Sequence, residues 1–311
     1  MRIAAFIICL AVAAVPLSRG ADAPKRPHIT GIAHIALFVH DMEKARAYYK
    51  DFLGFGEPYS LNNPDGKLSM TFIKVNDRQY VELFPEVTPG SDRLNHISVE
   101  TDDIEGMRVY LASKGVKVPE KVTVARIKNK SFNVKDPDGH TVEFVEYTPE
   151  GWSIREKGKY MSGERVSERM MHLGILVGSL EPAMKFYGEV LGFNEFWRGS
   201  RDGKQLNWVN MRVPDGDTYI EFMLYDKLPA ETDRGTAHHI CLEVPDIEKA
   251  RAALQARPAA GAYTRPMEIR TGTNRKRQMN LYDPDGTRSE LMEPRTVDGV
   301  PTPSSTAAPP H

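Results

Sequence analysis

The chain has 311 residues, 41% of them hydrophobic and 27% charged, with a formal net charge of −1. That length holds two domains of ordinary size, each with its own core, and the composition is that of a globular protein. The balanced charge gives no basis for a nucleic-acid partner, which calls for a clearly basic domain.

In chain order, Arg2 is followed by an apolar run from Ile3 to Val15 and then by small residues through Gly20 and Ala23. A charged start, an apolar core and a small-residue stretch read as a secretory signal over residues 1–23. The run is too short to span a bilayer, which takes about 20 residues. Export to the periplasm or the exterior is expected, with no stable membrane anchor. The chain has two cysteines, Cys9 inside that leader and Cys241. The exported form is therefore expected to lack an internal disulfide, with Cys241 inert in an apolar strand.

Four copies of one pattern follow. They begin at His34-Ile35-Ala36-Leu37, His96-Ile97-Ser98-Val99, His172-Leu173-Gly174-Ile175 and His239-Ile240-Cys241-Leu242. Each opens as an apolar, β-branched strand. Asp41, Asp103, Ser179 or Asp246 then stands where a helix N-cap belongs. Apolar residues at helical spacing come next, Ala45, Tyr48, Tyr49 and Phe52 in the first copy and Ala183, Phe186, Tyr187 and Val190 in the third. Gly54, Gly115 and Gly192 fit the helix C′ position. Strands and turns close each copy. Asn76-Asp77 is read as a tight hairpin, and the two Asp-Pro-Asp-Gly segments, 136–139 and 283–286, as structural turns. The fold class is α+β: four βαβββ modules, two to a domain. The expected boundaries are 28–148 for the first domain (modules about 28–86 and 93–148) and 170–293 for the second (about 170–226 and 236–293). Residues 149–169 form a linker with room for a short helix, and residues 294–311, rich in Pro, Ser, Thr and Ala, a disordered tail.

Every module starts its first strand with a histidine, His34, His96, His172 or His239, and carries a glutamate in its last, Glu82, Glu143, Glu221 or Glu290. The His-to-Glu separations are 48, 47, 49 and 51 residues, and four of the nine histidines of the chain hold this one position. A divalent ion needs imidazoles and carboxylates converging on one point. First and last strands that are sheet neighbours deliver one of each into the same concavity when their parity agrees. All eight residues are candidate ligands. His28, His40, His140, His238 and His311 lack the pattern and are read as non-ligands.

The modules His34…Leu53-Gly54-Phe55…Glu82 and His96…Asp136-Pro137-Asp138-Gly139…Glu143, with their counterparts in the second half, resemble the vicinal-oxygen-chelate superfamily. That superfamily includes glyoxalases, bleomycin-resistance proteins and extradiol dioxygenases. The resemblance covers about Ile29 to Glu293. It implies cupped, mixed eight-stranded sheets holding a divalent metal (Ni, Zn, Co, Mn or Fe(II)) and a small-molecule substrate that chelates it through adjacent oxygens. The full His/Glu/His/Glu set is similar to bacterial glyoxalase I. That likeness implies a lyase or isomerase reaction through an enediolate, with Glu82, Glu143, Glu221 or Glu290 as the proton-shuttling base.

Phe38 and Leu176 stand where glyoxalase I carries an arginine for the glutathione carboxylate, so a glutathione-independent substrate is expected. An extradiol-type ring-cleaving dioxygenase with iron, or a non-catalytic small-molecule-binding module, is the alternative. Asn133 and Asn280 stand where ring-cleaving enzymes typically carry a catalytic tyrosine. Basic loops, with Arg126, Lys128 and Lys130 in one half and Arg270, Arg275, Lys276 and Arg277 in the other, suit an anionic ligand. A monomer or homodimer is compatible with the sequence. Pairing of the modules within or across domains is left open.

Overall fold

A computed structural model describes residues 23–310. Apart from Ala23, the expected leader lies outside the described residues. Among those residues, no helix is long and apolar enough to cross a membrane.

The first module runs β1 (Ile29–Val39), α1 (Met42–Arg46), β2 (Gly56–Asn62), β3 (Leu68–Lys74) and β4 (Tyr80–Pro85). The second runs β5 (Leu94–Thr101), α2 (Ile104–Ser113), β6 (Thr123–Val124), β7 (Lys130–Lys135) and β8 (Thr141–Glu146). A short helix α3 (Trp152–Arg155) follows in the linker. The third has β9 (Met170–Val177), α4 (Leu180–Ala183), β10 (Asn194–Ser200), β11 (Leu206–Arg212) and β12 (Tyr219–Leu224). After an additional helix α5 (Glu231–Ala237) come β13 (His239–Glu243), α6 (Ile247–Gln255), β14 (Ile269–Thr271), β15 (Lys276–Tyr282) and β16 (Arg288–Thr296).

Three of the four expected caps form: Asp41, Asp103 and Asp246 accept the backbone N–H of Lys44, Gly106 and Lys249. Ser179 makes no such bond. The first and third helices also depart from regular α-winding, continuing as π-helical segments Ala47–Phe52 and Met184–Val190. Gly54 and Gly192 end them at positive φ, 83° and 79°, where a side chain would be strained.

Two eight-stranded sheets result, in the orders β2-β3-β4-β1-β5-β8-β7-β6 and β10-β11-β12-β9-β13-β16-β15-β14. Within each module the first strand pairs with the last in parallel. The two modules of a domain join through their first strands, antiparallel. Consecutive modules thus share one sheet, which answers the pairing question: within each half of the chain. The sheets curl into half-barrels.

The halves dock through matched contacts. Tyr49 of the first π segment donates to Asp283 Oδ2 at 3.2 Å, and Tyr187 of the second donates to Asp136 Oδ2 at 3.0 Å. The backbone N–H of His40 reaches Asp285 Oδ2 at 3.0 Å, and that of Gly178 reaches Asp138 Oδ1 at 3.2 Å. The two Asp-Pro-Asp-Gly turns therefore serve as docking points as well as turns. Phe52 stacks on Tyr263, with centroids 4.7 Å apart, inside an apolar core shared by both halves. The linker is tied down by Lys74, a fully buried cation whose Nζ donates to the carbonyls of Glu156 (2.6 Å) and Lys159 (2.9 Å) and pairs with Asp77. A buried ammonium is tolerated only when so satisfied.

One expectation is corrected. The segment after Pro294 is not a free tail: β16 runs on to Thr296, Ser305 N–H bonds to the Arg198 carbonyl, and Leu206 N–H bonds to the Ala308 carbonyl. The exposed backbone groups of β10 and the start of β11 supply the partners that its composition could not reveal.

Candidate metal centres

Sheet register puts the candidate ligands on one face. Across β4, β1 and β5, Glu82 pairs with Ala36 and Ala36 with His96; one step along, His34 pairs with Ser98 and Ser98 with Glu143. The second half repeats this as Glu221–Gly174–His239 and His172–Cys241–Glu290. Positions 34 and 36 are two apart on one strand, so both rows face the same concavity. Small residues (Ala36, Ser98, Gly174, Cys241) alternate with the ligands and leave their side chains room to converge.

In the first cup, His34 Nε2 lies 3.0 Å from His96 Nε2, 2.9 Å from Glu143 Oε2 and 3.6 Å from Glu82 Oε1. His96 Nε2 lies 3.7 Å from both Glu82 Oε2 and Glu143 Oε2. In the second, His172 Nε2 and His239 Nε2 are 3.1 Å apart, Glu290 Oε2 is 3.5 Å and 3.4 Å from them, and Glu221 Oε1 is 3.6 Å from His239 Nε2. Donors bound at about 2.0–2.2 Å to one ion sit roughly 3–3.5 Å from their neighbours, so the spacing fits. Both His-His-Glu triads, His34/His96/Glu143 and His172/His239/Glu290, are candidate metal sites. In each cup the remaining glutamate, Glu82 or Glu221, approaches as a fourth donor. Imidazole with carboxylate suits borderline divalent ions.

Burial dominates the electrostatics of these groups. Burial pushes the Glu82 carboxyl up, with His34 opposing. Burial also acts on Glu143, but the hydrogen bond and charge of His34, with His96, hold it well below the usual range. Burial depresses His96 to about 4 and, together with the charge of Arg288, His239 to about 3.

Arg288 is a site residue that sequence reading missed. It pairs directly with His239 in the β13–β16 register, and its Nη2 lies 2.6 Å from His239 Nδ1 and 3.2 Å from Nε2. A signal existed: Arg288 is two residues before Glu290 on one strand, hence on the same face. Thr141 occupies the corresponding place before Glu143. The cups also differ in lining. The first, about 260 Å³, is bordered by Leu61, Met70, Phe72, Phe84 and Tyr80; the second, about 320 Å³, by Trp197, Trp208, Arg201 and Arg270.

Of the basic loop residues, Arg126 and Arg270 line the cups, Arg270 while paired with Glu268. Arg275 and Arg277 are paired off with Asp298 and Glu293, and Lys130 with Glu146. The remaining described histidines lie elsewhere. His28 and His40 pair with Asp102 and Glu86 on the surface, His140 pairs with Asp136, and the buried His238 faces Asp92. Cys241 is buried, its thiol pushed far up by burial.

This fold and this ligand pattern define a class. The chain belongs to the Glyoxalase/Bleomycin resistance protein/Dioxygenase superfamily, whose model matches residues 31–144 and 169–291. A probable chloroplastic lactoylglutathione lyase of Arabidopsis thaliana is 24% identical over 274 residues, 84% of this chain and 72% of that protein. The Mn(II)-bound glyoxalase from Novosphingobium aromaticivorans superposes with a TM-score of 0.65 at 16% identity, covering 86% of this chain and 83% of that one. The 2,3-dioxygenase LapB from Pseudomonas sp. KL28 superposes with a TM-score of 0.66 at 18% identity, covering 89% and 98%. At those identities the two structures establish the fold alone.

Proposed function

We propose that the protein is an exported, divalent-metal-dependent enzyme of glyoxalase type, a lyase or isomerase acting on a small substrate with two adjacent oxygens. The ion is assigned to the first cup, held by His34, Glu82, His96 and Glu143. When bound, it supplies Lewis acidity toward a chelated carbonyl. The chain supplies the rest. The imidazoles fix the substrate's approach, Glu82 or Glu143 takes and returns the proton, and the apolar wall of Leu61, Phe72 and Phe84 excludes water.

The observation that carries this reading is the fourth donor. Glu82 lies within 3.6–3.7 Å of both imidazoles. Four protein ligands in an octahedron leave two positions, enough for a chelating substrate but one short of a catecholate plus dioxygen. That count weighs against a ring-cleaving dioxygenase. Phe38, where an arginine would meet a glutathione carboxylate, favours a carrier other than glutathione.

The test is elemental analysis of the purified protein for Ni, Zn, Co, Mn and Fe, followed by two assays. Anaerobic isomerisation of α-ketoaldehyde adducts with bound metal is the expected result. Oxygen uptake with catechols after ferrous loading would transfer the assignment to a dioxygenase. No metal even on reconstitution would leave a binding module. N-terminal sequencing of the chain from cell fractions, expected to begin near Pro24, tests export.

A further inference from the structure

The two cups carry the same four candidate donors in different surroundings. Arg126 is the arginine lining the first, and its Nη1 is bound to the Asn62 carbonyl at 2.5 Å. Three arginines line the second, Arg201, Arg270 and Arg288, beside Glu221 and Glu290, and Arg270 is paired with Glu268. The Arg201 guanidinium lies over the Trp208 ring, 5.4 Å from its centroid. Register fixes Arg288 on the cup floor, with Nη2 against both ring nitrogens of His239. A fixed positive charge therefore faces the imidazole that would have to accept a cation.

Two hydrogen-bond donors on the wall of the second cup are also unsatisfied. Arg288 Nε and Trp197 Nε1 are buried without a partner, on residues that line the cavity. Buried donors demand acceptors. The guanidinium fork matches the two oxygens of a carboxylate, and two indoles beside it suit a flat ring.

We infer that the second cup is an anion site: it takes a small aromatic carboxylate, bound by Arg288 and the Trp197 N–H, in place of the divalent ion assigned to the first cup. The inference rests on the proposed function only for what the first cup holds.

The experiment uses benzoate as probe and benzamide as its neutral analogue, read by tryptophan fluorescence. Two of the three tryptophans line this cup, and Trp152 lies beside Tyr59 near the other. Benzoate should bind saturably and at least tenfold more tightly than benzamide. Arg288→Gln should weaken benzoate at least tenfold, and Arg288→Lys, which keeps the charge, should restore part of the loss and serve as the folding control. Mn(II) titration followed by electron paramagnetic resonance should find one tight site per chain, and two in Arg288→Thr, which copies the first half. Equal binding of the two probes, no binding of benzoate, an unchanged Arg288→Gln, or two tight Mn(II) sites in the unaltered protein would overturn the inference. Zero Mn(II) sites would instead overturn the proposed function, leaving the benzoate result to judge the anion site.

Discussion

The first cup reads Glu82–Ala36–His96 across the sheet, and the second reads Glu221–Gly174–His239–Arg288. Both rows keep their candidate donors because the same strand pairings recur in each half. The difference lies in the neighbours. A methyl becomes a hydrogen at position 174, which lets the His239 ring lie against the backbone, and a threonine becomes an arginine at position 288. Strand register sets where the candidate donors stand; the residue beside each donor sets the charge that the donor faces.

The comparison can be broken most directly through the ligands. His34→Ala is expected to remove metal from the first cup and lower kcat/KM by at least about 100-fold, the scale of losing the metal's activation and a positioned proton carrier. His172→Ala should leave kcat/KM within a few fold. Equal losses would mean that the halves are catalytically equivalent. Next in size is Gly174→Ala. A Cβ there falls on the His239 imidazole, whereas Ala36 already carries one. The expected cost is about 1–3 kcal/mol by denaturant midpoint, with metal content of the first cup unchanged.

The docking contacts sharpen the same comparison. Burial raises the Asp283 carboxyl to about 7, with the N–H groups of Thr287 and Asp285 opposing. Its unfolded value is about 3.9. The folded chain thus keeps a proton that the unfolded chain releases, and this contribution to stability, complete below pH 4, is lost as pH rises through 7. One proton limits the slope to about 1.4 kcal/mol per pH unit. Asp283→Asn should flatten that segment of a stability-versus-pH curve; an unchanged slope would refute the assignment. The smallest effects belong to Tyr49→Phe and Tyr187→Phe, each expected to cost about 1 kcal/mol for one hydrogen bond. Tyr187 should cost no less than Tyr49, because its partner Asp136 is also fixed by His140 Nδ1 at 2.8 Å.

The convergence of the candidate donors was legible in the sequence because period-2 alternation and strand order leave few faces for a repeated His and Glu, and four repeats made the positions plain. The same alternation pointed to Arg288, two residues before Glu290, but Tyr80, Thr141 and Tyr219 hold that place in the other modules, so no repeat marked it. Other features could not be read locally. The π-winding over Ala47–Phe52 aims Tyr49 at an aspartate more than 200 residues away. The pairing of consecutive modules depends on β1 meeting β5, and the order after Pro294 depends on backbone groups of Arg198 and Leu206. Each is a tertiary contact whose partner gives no sign in the neighbouring sequence.

The central claim, that imidazole and carboxylate donors of the first cup hold one divalent ion, is tested most directly by anomalous diffraction from crystals grown with Mn(II). The account predicts one strong peak about 2.0–2.3 Å from donor atoms of His34, Glu82, His96 and Glu143, with none of comparable height beside Arg288. A first cup without a peak, or a sole peak among His172, His239 and Glu290, would contradict it.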